Sequence, residues 1–144
     1  MKADYGLRAL LDLADHHGEG PVPCHDIAAR QHIPGPFLDQ LLMTLRRAGL
    51  VQSTRGPRGG HVLAQPPEEI TLAHAVDILE GQAAPLAPDE DALRANFGPA
   101  IHAVLGRAEA AARAILEEST LADLLHVQHR ERVFHGIFKP LGAA

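Results

Sequence analysis

The stretch Arg55-Gly56-Pro57-Arg58-Gly59-Gly60-His61 sets two guanidinium groups among glycines. Residues of these types cannot build a core. They can hold positive charge out where a polyanion would meet it. Arg46, Arg47, Arg55 and Arg58 fall within 13 positions without an acidic residue between them, in a chain whose formal net charge is −5. That local reversal of sign is the electrostatic footprint of a nucleic-acid contact surface. A guanidinium is planar, multiply donating and always charged, which suits a phosphate or a minor groove. Glycines let the backbone approach closely, so Gly59 joins Arg55 and Arg58 as a candidate contact. The stretch lacks the Gly-Lys-Ser/Thr ending of a nucleotide-binding loop.

Further candidates lie upstream. Asp39 and Gln40 stand near the start of a helix, where base edges would be met. Glutamine can pair with adenine and a carboxylate can accept from cytosine N4. Asp39 equally suits the first turn of a helix for its dipole alone. Thr44 and Arg47, a turn further on, read as phosphate contacts. Arg46 lies nearer the buried edge, a candidate for internal pairing, and Tyr5 reads as core. Cys24 precedes a helix N-terminus, where the dipole can lower a thiol pKa, so it is the candidate for a redox switch. Its plainer reading is a small, partly buried filler beside Val22 and Ile27. The 10 histidines show no closed four-ligand spacing, including His126, His129 and His135 in the tail, so no metal site is expected. No nucleophile, base and orienter suggest themselves as a set, and no enzyme is expected.

These side chains need elements to position them. Tyr5, Leu7, Leu10, Leu11 and Ala14 predict a helix over residues 3–15. Residues 16–21 make a turn, and a short second helix follows over residues 26–31. Pro34-Gly35-Pro36 breaks the chain, and Pro36 can open a third helix that runs to about Ala48. Leu38, Leu41, Leu42 and Leu45 form one buried stripe, leaving Asp39, Gln40, Met43, Thr44 and Arg47 outside. Two short strands, about 50–54 and 61–64, flank the arginine tip. Three helices and a hairpin in this order describe a winged helix-turn-helix, the third helix entering a major groove and the hairpin reaching the neighbouring backbone or minor groove.

The second half has another character. Thr71 caps a helix that ends at Gly81. A long helix is expected from Leu93, its regular part after Gly98-Pro99. Phe97, Ile101, Val104, Ala108, Ala111 and Ile115 are spaced as an a/d seam. Such a stripe is either a core helix on its own domain or a pairing helix between two chains. A domain of this size offers little surface to cover it, which favours pairing. Thr120-Leu121-Ala122-Asp123 resembles a capping box that opens one or two more helical turns. The domains expected are a winged helix-turn-helix over 1–81, a loop over 82–92, a dimerisation helix with a following short helix over 93–125, and a tail over 126–144. The fold class is mainly α with a small β-hairpin.

Composition narrows the classes further. With 144 residues and 46% apolar content, the chain suits one small domain with an appended interaction element. No apolar run nears the ~18 residues of a membrane span, and the start lacks a signal-peptide pattern. A single cysteine excludes an intrachain disulfide. The cytoplasm is the expected compartment. Residues 1–65 hold 7 basic and 6 acidic residues, whereas 66–144 hold 6 and 12. Phosphates would repel the acidic half, so a nucleic-acid surface belongs to the first half.

Lys2-Ala3-Asp4-Tyr5-Gly6-Leu7-Arg8, Asp26-Ile27-Ala28, Phe37-Leu38-Asp39-Gln40-Leu41-Leu42, Leu45-Arg46-Arg47-Ala48-Gly49-Leu50, the arginine tip and Thr120-Leu121-Ala122-Asp123-Leu124 together resemble IscR/NsrR/CymR-type bacterial transcription regulators. The resemblance implies a homodimeric winged helix-turn-helix protein, usually a repressor, bound to a near-palindromic operator of double-stranded DNA. It also implies long C-terminal helices crossing at the dimer interface. Family chains usually carry a few more residues ahead of the Lys2 segment, some of which approach phosphates, a departure here; Lys2 is among the candidate DNA contacts. Many members ligate an iron–sulfur cluster through three cysteines before and at the start of the long helix. Here residues 82–99 contain none, so no cofactor is expected. The competing reading is an adaptor or co-regulator that keeps the fold and binds protein.

Overall fold

The computed structural model describes residues 2–81 and 90–137, with side chains described as far as Glu131. Helix α1 (Lys2–Asp15), α2 (Cys24–Gln31) and α3 (Gly35–Arg47) are followed by an antiparallel hairpin of β1 (Val51–Thr54) and β2 (Gly60–Leu63). A 3₁₀ turn at Pro67–Glu69 leads into α4 (Leu72–Glu80). Then come a short α5 (Glu90–Leu93), the long α6 (Gly98–Glu118) and α7 (Leu121–Ile137). This is the mainly helical winged arrangement that the sequence predicts.

The core is set by the stripes. Leu10 and Leu13 of α1, Ile27 of α2, and Leu38, Leu42 and Leu45 of α3 are each at most 2% exposed. Leu50, Val51 and Ile70 close the cluster from the hairpin side. Each full burial of such a side chain favours folding by about 1.5–3 kcal/mol relative to exposure. Gly6 lets α1 and α4 meet, since a Cβ there would collide with the Leu79 side chain.

Among the described residues, one charged side chain is buried in this core. Asp12 of α1 accepts from Arg30 Nη2 at 2.7 Å, Arg30 Nε at 2.9 Å and Gln31 Nε2 at 2.9 Å. Burial raises the Asp12 pKa, but the bonds from Arg30 and Gln31 outweigh it and hold the carboxyl below its ordinary value. The bidentate pair ties α2 to α1.

The hairpin pairs Val51 with Leu63 and Thr54 with Gly60. An isolated bridge from Val22 to His61 adds a short third edge. Gly60, at φ +156°, lies against the Val22 backbone with no room for a Cβ. At the tip, Gly59 N–H donates to the Gly56 carbonyl at 2.9 Å.

Three boundaries differ from the sequence expectation. Helix α2 begins at Cys24, two residues early, with Pro23 as its N-cap. The long helix begins at Gly98 rather than Leu93, with Pro99 in its first turn, where a missing N–H costs nothing. A Cβ at Gly98 would strike the α5 backbone, so the two helices meet there at close range.

The third difference is α7, which runs 17 residues instead of one or two turns and continues well into the expected tail. Its capping box is formed as expected: Thr120 N–H donates to Asp123 Oδ2 at 2.9 Å, and Asp123 N–H to Thr120 Oγ1 at 3.2 Å. The helix persists because Leu121 and Ala122 are buried and His129 pairs with Asp15 of α1 at 3.0 Å. Most of the expected 82–92 loop, the tail beyond 137 and the His135 side chain lie outside the described residues.

Candidate nucleic-acid interface

Helix α3 and the hairpin present one continuous surface. The apolar stripe of α3 faces inward, which leaves Asp39, Gln40, Met43, Thr44, Arg46 and Arg47 exposed. Asp39, Leu42, Met43 and Arg46 share a cleft of about 130 Å³ with Ser53 of β1 and His61 of β2. The two elements therefore open onto the same side. Arg55 and Arg58 project from the turn beyond β1, both exposed. Lys2 is exposed at the start of α1.

The individual groups are arranged as follows. Thr44 Oγ1 donates to the Gln40 carbonyl at 3.0 Å, which leaves its oxygen free to accept and orients it along the helix. Gly59 has an architectural constraint: a Cβ there would collide with the Thr54 carbonyl, so only glycine closes this turn without shifting the backbone. Arg46, expected at a buried edge, is exposed and lines the cleft. Tyr5 meets Phe37 edge-on at 5.4 Å between ring centroids and carries the Arg8 guanidinium over its face at 4.7 Å, a packing role as expected.

Cys24 is partly buried and packed against the core, as its plainer reading expects. Burial, with the Asp39 carboxylate adding to it, pushes the thiol up to about 12, where the helix dipole was expected to lower it. The sulfur donates to Asp39 Oδ1 at 3.1 Å.

His61 and Ser53 stand out only in the structure. They are cross-strand partners, with Ser53 Oγ and His61 Nδ1 sharing a hydrogen bond of 3.0 Å. Burial lowers the His61 pKa, Asp39 opposes and Arg46 adds to the lowering. The hairpin register carries the signal for this pair, since facing positions lie on one face of the sheet.

Away from this surface, a larger cavity lies between α1, α2 and α7. Among its charged groups, Arg30 pairs with Asp12, His129 with Asp15, and Arg8 with Asp4 outside it.

Residues 1–127 match the Rrf2 family, described as an iron-dependent transcriptional regulator. The chain belongs to the Rrf2 family. It is 38% identical over 123 residues to the HTH-type transcriptional regulator CymR of Bacillus subtilis, covering 85% of this chain and 86% of CymR. A putative HTH-type regulator of Synechocystis, slr0846, is 52% identical over 79 residues, and the match spans 54% of that protein's length. Among solved structures, T. potens IscR superposes with a TM-score of 0.74 at 37% identity, covering 89% of this chain and 85% of IscR. The B. subtilis CymR structure also gives 0.74, at 38% identity, with 86% and 92% coverage. The Rrf2-family relatives thus bear out the regulator class and the winged helix-turn-helix fold.

The iron of the family description does not fit the residues present. An iron–sulfur cluster takes several thiolates. This chain has Cys24 alone, with its sulfur hydrogen-bonded to Asp39. Among the described residues, no three His, Cys, Asp or Glu side chains gather to hold a metal ion. No described helix is long and apolar enough to cross a membrane.

Proposed function

We propose that this Rrf2-family regulator binds double-stranded DNA as a homodimer, recognises a near-palindromic operator and represses transcription without an iron–sulfur cluster. The observation that supports the reading is the cleft shared by α3 and the hairpin, where Asp39 and Arg46 lie beside Ser53 and His61. In this reading α3 lies in the major groove. Gln40 and Asp39 face base edges, Thr44, Arg47 and Lys2 face phosphates, and Arg55, Arg58 and Gly59 follow the adjacent backbone or minor groove.

Pairing rests on α6. Phe97, Ile101, Val104 and Ile115 are 50–71% exposed in the single chain, and Ala108 and Ala111 between them are exposed too. A seam of this length left in water marks a contact surface. Two-fold pairing along it sets half-sites about 34–36 Å apart.

The test is selection of bound duplexes from a random pool by the purified protein, followed by anisotropy titration and in vitro transcription. The expected result is an inverted-repeat site bound by a dimer that lowers transcription. Enrichment of no sequence, together with binding only to another protein, would establish the adaptor reading instead.

A further inference from the structure

The geometry points to Cys24 as the residue that aims Asp39 at its base, so that a thiol on α2 helps to set the sequence preference of α3. The inference rests on the DNA-binding reading of α3 and assigns a positioning role within it.

Cys24 is half-buried at the start of α2, 15 residues from the carboxylate it touches. Asp39 is exposed, and an exposed aspartate ordinarily samples several rotamers. Here one oxygen, Oδ1, accepts from the thiol at 3.1 Å. That bond restricts the side chain and leaves Oδ2 to accept from elsewhere.

The surroundings give the restriction a purpose. The charged and titratable groups that share the cleft with Asp39 are Arg46 from its own helix and His61 from β2. His61 already shares a bond with Ser53. Among the described residues, the thiol supplies the hydrogen bond to the Asp39 carboxylate. The thiol, pushed up to about 12, remains a donor across the physiological range. A thiolate in its place would repel the carboxylate.

A carboxylate on a DNA-facing helix is repelled by phosphate whatever the sequence. It is compensated only where an amino group meets it in the major groove, and cytosine N4 is the matching donor. Such a residue acts chiefly by rejecting other bases. Rejection is sharp only if the carboxylate cannot turn away. Cys24 supplies that constraint from a different helix.

The experiment compares affinities for the selected operator and for versions in which each cytosine in reach of α3 is replaced. Wild type, Asp39→Ala, Cys24→Ala and Cys24→Ser are titrated at one salt concentration, with thermal melts alongside. Wild type is expected to discriminate by about tenfold or more at one cytosine. Asp39→Ala loses this discrimination. Cys24→Ala loses most of it while keeping wild-type melting, affinity for random DNA and salt dependence. Cys24→Ser retains it, because a hydroxyl also donates.

Three results overturn the inference, each at a different level. Discrimination unchanged in Asp39→Ala removes base reading by Asp39. Discrimination lost in Asp39→Ala but kept in Cys24→Ala leaves base reading intact and removes the aiming role. Equal loss in Cys24→Ala and Cys24→Ser assigns the effect to packing rather than to the hydrogen bond.

Discussion

The arginines of the wing and the aspartate under the core show how differently a charge acts with its surroundings. Arg55 is exposed, and its worth lies in what it meets outside the chain. Arg55→Ala should therefore leave the melting temperature unchanged and weaken operator binding about tenfold, as expected for a lost charge-assisted bond, read by anisotropy. Asp12 is 4% exposed and held by Arg30 and Gln31. Its pKa is lowered in the fold, so the stability it contributes is present above the ordinary value of 3.8 and is lost as pH falls through the lowered one. Asp12→Asn should cost about 2 kcal/mol near neutral pH and flatten the acid limb of a denaturation series. The exposed charges of the wing were legible in the sequence, because glycine and arginine together exclude a core. The Cys24–Asp39 bond was not. It joins two helices across 15 positions, and neither periodicity nor local propensity bears on such a contact. The same gap explains the thiol: a dipole is read from the chain, whereas the opposing burial and carboxylate belong to tertiary structure.

Among the elements, α3 and α6 were readable for one reason and α7 was hidden for the converse one. The leucines of α3 and the seam of α6 repeat at helical spacing, so each declares a single apolar face. For α3 that face is covered in the single chain, and for α6 it is not. Beyond its buried Leu121 and Ala122, α7 concentrates apolar residues on no one side, and its length rests on contacts with α1. The capping box marked its start without fixing its end. The seam of α6 supplies the prediction at this scale. Val104→Glu should leave the fold of one chain intact, because Val104 is 65% exposed there. It should raise the dimer dissociation constant by about a hundredfold or more, since the pairing would bury an unmatched charge, and sedimentation would show the monomer.

At the level of the whole molecule, the net charge of −5 conceals a division of labour. In the proposed complex the acidic second half would be repelled by phosphate, and the cations of the first half would set the orientation and the ionic cost of binding. If Lys2, Arg47, Arg55 and Arg58 of both subunits each neutralise a phosphate, the logarithm of affinity should fall against the logarithm of salt with a slope of about −7. A slope near zero in a salt titration would remove phosphates from the interface. Within that acidic half, the start of α4 is clasped to the junction of α6 and α7. Thr71 bridges Thr120, Leu72 N–H donates to the Ser119 carbonyl at 2.8 Å, and Leu121 N–H donates to the Ile70 carbonyl at 3.0 Å. In the proposed dimer, a double clasp of this kind would leave each arm of a two-armed caliper no hinge at its root. One extra base pair between half-sites, which turns them by about a tenth of a helical revolution, would then have to be absorbed by twisting the DNA rather than by swinging the protein.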